Sequence, residues 1–160
     1  MFKKLISVFA TAMVALSMVG CTTANAENPA QSVLIANAWI RSSEATAKAG
    51  GMTGVFGTFT NKTDHTVTIT GGNTDISMMV QTHEVVGGSM QMKHGGIQIP
   101  AGKSVTLEPG GLHIMLMNLA KPILAGDKVS FTFNFEGASS QTLTLTAKVS
   151  SGGDEKYNSK

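Results

Sequence analysis

Between residues 83 and 117 the chain collects side chains that could hold a metal. His83, His94 and His113 are three of its four histidines, and Met90, Met92, Met115 and Met117 are four of its ten methionines. Imidazole and thioether are both neutral donors. Thioether sulfur is soft and imidazole is borderline, so a mixed set suits Cu(I) better than zinc, magnesium or calcium. Cys21 is the only cysteine and lies far from this stretch. A zinc–thiolate site, a blue-copper centre with a cysteine ligand and a thiol-redox centre are therefore excluded.

Strands are the elements that must position these groups. Successive side chains on a strand point to opposite faces. In His113-Ile114-Met115-Leu116-Met117, the histidine and both methionines share one face, and the two aliphatic residues share the other. The same parity puts Met90 and Met92 together. A histidine or methionine on a strand, taken singly, reads as ordinary packing. The combination of His83, the pair Met90/Met92 and His113-x-Met115, with no competing thiol, reads as a site.

The surrounding sequence is patterned for strands throughout. Short β-type runs alternate with Gly, Pro, Asn and Asp punctuation. They cover Val33–Ile40, Gly54–Thr60, Thr66–Thr70, Ser77–Val86, Met90–Lys93, Ile97–Ile99, Ser104–Leu107, Leu112–Leu119, Val129–Phe135 and Gln141–Val149. Val129–Phe135 has a strict two-residue period. Turns are expected at Asn61–Asp64, at Gly71–Asp75 and at Pro100–Lys103, the last with proline first and, as a type II turn favours, glycine third. Ser42–Gly51 reads as a loop. No stretch of the mature chain has helical periodicity with caps. The pattern predicts an all-β sandwich or barrel over residues 32–150. A domain of that size buries a core without disulfides or metal, so a metal here is functional rather than structural.

Residues 1–20 read as a signal peptide. Lys3 and Lys4 precede an uncharged, mostly apolar run from Leu5 to Val19, too short for a comfortable membrane span. Leu16-Ser17-Met18-Val19-Gly20-Cys21 resembles a bacterial lipoprotein cleavage box, which would make Cys21 the lipidated first residue and the lipid the only membrane attachment. The competing site, after Ala24-Asn25-Ala26, would remove Cys21. Both predict export to the periplasm or the outer face of the cell envelope. Residues 21–31 read as a tether and 151–160 as a disordered tail. Loss of Lys3 and Lys4 from twelve basic residues leaves ten against ten acidic ones. No basic stripe with interleaved aromatics suggests nucleic acid.

The blocks Ala38-Trp39-Ile40-Arg41, Gly57-Thr58-Phe59-Thr60-Asn61, His83-Glu84, Met90-Gln91-Met92-Lys93, Ile99-Pro100-Ala101-Gly102, Leu107-Glu108-Pro109-Gly110-Gly111 and His113-Ile114-Met115-Leu116-Met117 together resemble the PCuAC-type periplasmic copper chaperones. Members carry a histidine, a Met-x-Met about ten residues later, and a His-x-Met about twenty-one residues after that. The resemblance implies a Greek-key, cupredoxin-like β-sandwich. It implies Cu(I) as cargo and His83, Met92, His113 and Met115 as ligands. It also implies delivery towards the binuclear copper centre of cytochrome c oxidase, alongside Sco-type thiol proteins. Here the His83–Met92 interval is shorter than the family's and Met92–His113 is shorter by about one residue. Met90, His94 and Met117 therefore stay open as substitute or auxiliary ligands. A copper storage or resistance carrier, and a lipid-anchored interaction domain whose methionines only pack, are the competing functions. No nucleophile–base set suggests an enzyme.

Other residues receive plainer expectations. Trp39 packs at the core or rim, or lies over the metal as a cation–π partner. Arg41 is a surface or loop-pairing residue, and His65 a solvated turn histidine. One of Met78 and Met79 is buried while the other joins a soft surface patch. Met52, in a glycine-rich loop, is not expected to touch metal. Glu84 is a candidate to orient an imidazole. Gly87-Gly88 and Gly110-Gly111 are backbone turns without the context of a phosphate loop.

Overall fold

Period-two sequences with one apolar side pair edge to edge, and here they do so along nearly the whole domain. The computed structural model describes residues 31–150 and the pair 156–157. The signal segment, Cys21, nearly all of the tether and the rest of the tail lie outside the described residues. The strands are β1 (Val33–Ser42), β2 (Thr53–Asn61), β3 (Val67–Asn73), β4 (Ser77–Val86), β5 (Ser89–Met92), β6 (Ile97–Ile99), β7 (Ser104–Leu107), β8 (His113–Leu119), β9 (Lys128–Glu136), β10 (Gln141–Val149) and β11 (Lys156–Tyr157). The only helical element among the described residues is one 3-10 turn, Glu44–Thr46, in the expected loop. No helix of these residues is long and apolar enough to cross a membrane.

The hydrogen-bonded order is β11-β5-β4-β8-β2-β1-β10-β9-β3-β6, with β7 also on β2. Neighbours far apart in sequence, such as β4 with β8 and β1 with β10, are the crossovers of a Greek-key fold. The β1–β10 pair is parallel, and β1–β2 is antiparallel. One apolar cluster joins both ends of this order. It includes Ile40, Val55, Phe59, Ile114 and Leu116 from one side and Ile69, Ile97, Ile99, Phe131 and Phe133 from the other. Phe59 and Phe131 pack edge-on against Phe133, with centroids 5.2 and 4.7 Å apart. Fully burying such rings is the main stabilising term of the fold.

Two turns show how local chemistry sets these ends. Lys103 N–H donates to Pro100 O at 3.0 Å, and Gly102 takes φ +66°, as a type II turn requires. Buried Asn61 holds the next turn. Its Nδ2 donates to His65 O and Ile99 O at 2.7 and 2.9 Å, while its Oδ1 accepts from Thr63 N–H and Oγ1. Gly71–Asp75 departs from expectation. Gly71 and Gly72 belong to β3, opposite Asn134 and Phe133, after a bulge. The glycines mark close approach, because a Cβ on Gly72 would meet the Phe131 ring at 2.3 Å.

The tail also differs from its expectation at two positions. Lys156 and Tyr157 run parallel to β5, opposite Ser89 and Met90. An edge strand offers backbone groups to any extended segment, so polar composition does not prevent pairing.

Candidate metal centre

The site is a product of register. In an antiparallel pair, residues directly opposite each other project to the same face. His83 of β4 lies opposite Met92 of β5 and also opposite His113 of β8. Met92, His83 and His113 therefore form one row across three strands. Met115 lies opposite Gln81, one row along on the same face. Met90 lies opposite Val85, one row the other way. Met117, opposite Met79, sits one row beyond Met115. Ile114 and Leu116 project to the other side, into the apolar cluster.

The face that carries these histidines and methionines is the outer face of this sheet, yet its centre is dry. His83 is fully buried, His113 is 3 % exposed, Met115 4 % and Met90 6 %. None of the four belongs to the main apolar cluster. They are covered by a second, smaller layer. A cavity of about 210 Å³ there is lined by Met52, Phe56, Met90, Pro109, His113 and Met115, among others. Phe56 comes from β2, where Gly54 makes room for it: a Cβ on Gly54 would meet the ring at 2.5 Å. Rings continue outward from the histidines. His83 and His113 are 5.7 Å apart by centroid, Phe56 is 6.2 Å from His113, and Trp39 is 4.7 Å from Phe56. The Arg41 guanidinium lies over Phe56 at 5.1 Å, and the Lys148 ammonium lies 6.0 Å from Trp39. Trp39 is thus two rings removed from the histidine pair.

The imidazoles are held by specific neighbours. His83 Nε2 lies 3.1 Å from Gln81 Oε1, and His113 Nδ1 lies 2.9 Å from Gly111 O. With both acceptors engaged, the neutral rings carry their protons on those nitrogens, and their lone pairs fall on His83 Nδ1 and His113 Nε2. Burial, followed by the proximity of His113, pushes the His83 pKa down to about 4. The ring is therefore neutral at physiological pH, as a ligand must be.

The geometry suits a shared ion. A metal about 2 Å from each ligating nitrogen sits about 3 Å from each ring centre, so centroids 5.7 Å apart leave room for one ion between them. Among the described residues, no three His, Cys, Asp or Glu side chains converge on a point. The other donor side chains in these rows are the thioethers of Met90, Met92 and Met115 and the amide of Gln81.

Of the residues singled out in the sequence, His83, His113, Met92 and Met115 fall in two adjacent rows. Met92 is 39 % exposed at the rim, while Met90 is buried against the cavity. His94 falls past the end of β5, in the exposed turn that follows Met92. Glu84 does not orient an imidazole. It points to the other side of β4 and pairs with Lys93 Nζ at 2.8 Å, which holds its carboxyl below the usual range. Gln81 takes that role, and strand parity with His83 was the available signal. Met78 and Met79 are both exposed, at 86 and 50 %, so neither is the buried one of the pair. His65 is exposed but held. Its Nε2 faces Gly137 O at 2.9 Å and its Nδ1 faces Asp64 Oδ1 at 3.0 Å, and both raise its pKa.

Residues 33–148 match the family described as "Putative lipoprotein LpqE-like". A relative from Leifsonia xyli subsp. xyli (strain CTCB07), "Putative lipoprotein Lxx21020", is 34 % identical over 164 aligned positions, covering 96 % of each chain. Among solved structures, the copper-bound PCuAC domain from PmoF2 superposes with a TM-score of 0.62 at 21 % identity, over 74 % of this chain and 94 % of that one. The Cu(I) form of DR1885 from Deinococcus radiodurans gives 0.57 at 24 % identity, over 74 % of this chain and 81 % of that one. These likenesses are of fold.

Proposed function

The chain belongs to the LpqE-like lipoprotein family, and from the site it carries we propose that it is an exported carrier of Cu(I) rather than an enzyme. The observation that carries this reading is the row Met92–His83–His113 with Met115 beside it. Two neutral imidazoles and one or two thioethers are a donor set for a soft monovalent ion. The fold shared with two copper-bound domains supports the same reading. His83 Nδ1, His113 Nε2 and the Met115 sulfur form the centre, and Met92 closes it from the rim.

The arrangement favours carriage over turnover. Neutral donors leave the bound site with a single positive charge, and burial shields it from water and oxidants. Thioethers do not form disulfides, and a partner's thiolate can displace them. The exposed rim at Met92 is where such a partner would reach the ion. Delivery towards the binuclear copper centre of cytochrome c oxidase, alongside a Sco-type thiol protein, is the destination we propose. Lipidation at Cys21 would hold the carrier at the membrane where that assembly takes place.

The test is anaerobic competition for Cu(I) between the full chain and a chromophoric chelator. One tightly held ion per chain is expected. It survives His65→Ala and is lost in His83→Ala/His113→Ala. Equal retention by that double variant removes the proposal. Oxidase assembly in a deletion strain then separates a dedicated donor from a storage or resistance carrier.

A further inference from the structure

One register row beyond Met115, the outer face carries methionines that the buried centre does not use. Met79 of β4 lies directly opposite Met117 of β8. On the far side of β8, Thr53 and Gly54 of β2 pair with Leu116 and Met115. Extending that register by one position brings Met52 beside Met117. The backbone stays alongside β8 there, since Gly50 N–H donates to Leu119 O at 2.7 Å, although Leu119 N–H turns to Gly51 O at 3.0 Å. Met52 also lines the cavity together with Met115 and His113. Two thioethers opposed across β4 and β8 are thus flanked by a third on the residue that leads into β2. Opposed Cα atoms lie about 4.5–5.5 Å apart, within reach of three flexible side chains that converge on one ion.

Packing does not account for this row. Met79 is 50 % exposed, Met52 39 % exposed, and Met117 half-buried. Three adjacent apolar side chains left in water gain little from burial. The next row inward holds Gln81 and Met115, so no charged side chain separates the three sulfurs from the buried centre. An all-thioether set with no thiolate, carboxylate or imidazole selects a soft monovalent ion.

We infer that Met52, Met79 and Met117 form an exposed thioether site for a second Cu(I), through which the buried His83/His113/Met115 centre is loaded. This rests on the Cu(I)-carrier reading above. The ion passes from the exposed row to Met115, about 7 Å along the strands. Each step exchanges one neutral ligand for another, with no electron transferred and no proton released. Exposure makes the outer site weak and fast, and burial makes the inner one tight.

The test follows methionine ε-methyl signals by 13C NMR in the full chain, in detergent, during anaerobic Cu(I) titration. The first equivalent is expected to shift Met115, and the second to shift Met52, Met79 and Met117 together. Met78, on the opposite side of β4, is the built-in control and stays in place. Met79→Leu/Met117→Leu, which keeps side-chain volume at exposed positions, is expected to bind about one Cu(I) in place of about two and to load Met115 more slowly. If Met115 shifts while the three outer methyls stay still, or move only along with Met78, the inference is overturned and the buried centre stands. Movement of the outer three without Met115 would instead sustain the outer site and remove the centre. No methyl shift at all removes both.

Discussion

The two faces of β4, β8 and β2 are built from the same strands and differ in almost everything else. On the inner face Ile114, Leu116 and Val55 sit fully buried in the main apolar cluster with Phe131 and Phe133. On the outer face His113, Met115, His83 and Phe56 are just as dry, but they are covered by single side chains and short loops. The inner face is closed by another part of the sheet, with many contacts per residue. The outer face is closed by a thin layer of loop and side-chain atoms around a cavity. For the proposed carriage of Cu(I) both would serve: a rigid register to hold donors in a row, and a light cover through which an ion could pass. The difference also separates the histidines. His83 is fully buried and held neutral, whereas His65, in a turn, faces Asp64 and Gly137 O and is biased towards its charged form.

Substitutions on opposite faces should therefore separate stability from binding. Leu116→Ala is expected to cost about 2–5 kcal/mol of stability by leaving a cavity in the core. It should leave Cu(I) stoichiometry unchanged in the protein that remains folded, which denaturant unfolding and chelator competition together would establish. His113→Ala should do the reverse, abolishing tight Cu(I) binding with a smaller loss of stability. If both variants lose stability equally and neither loses copper, the two faces do not divide the work.

Gln81→Leu sharpens the comparison within the outer face. It removes the acceptor at 3.1 Å from His83 Nε2 but contributes no ligand. Copper affinity should fall about 10–100-fold, with stoichiometry kept. An unchanged affinity would show that burial alone orients the ring.

The pH dependence of the metal-free protein has a definite sign. Folded His83 titrates near 4, whereas the unfolded ring titrates near 6.5. Between those values the unfolded chain binds more protons, so stability falls as pH drops from about 6.5 towards 4. His83→Ala should flatten that part of the profile. His65 works oppositely and weakly: its raised pKa favours the folded state at low pH and loses that contribution as pH rises through it. The smallest effect is expected for Glu84→Gln. Its partly exposed pair with Lys93 contributes at most about 1 kcal/mol, and copper binding should not change.

Much of this was legible before any coordinates. Alternation in Val129–Phe135 and Gln141–Val149 placed β9 and β10 to within a residue at each end. The parity of His113, Met115 and Met117 separated the outer face of β8 from its core face. Register was the part that could not be read. Nothing local in the chain states that His83 faces Met92 on one side and His113 on the other, because pairing across the sheet is a tertiary choice. A glycine-rich loop likewise gives no sign that Met52, just ahead of β2, lines the cavity with Met115 and His113. Gly71-Gly72 was read as a turn because glycine signals turns, although here the Phe131 ring is what requires it.

The most direct measurement is X-ray absorption at the copper edge of the full chain loaded with one Cu(I). The account predicts a shell of nitrogen with one or two sulfurs, from which Met115→Leu removes a sulfur. Comparing Met92→Leu with Met90→Leu would then identify the rim ligand. A shell of nitrogen and oxygen alone, or a spectrum unchanged in His83→Ala/His113→Ala, would contradict it.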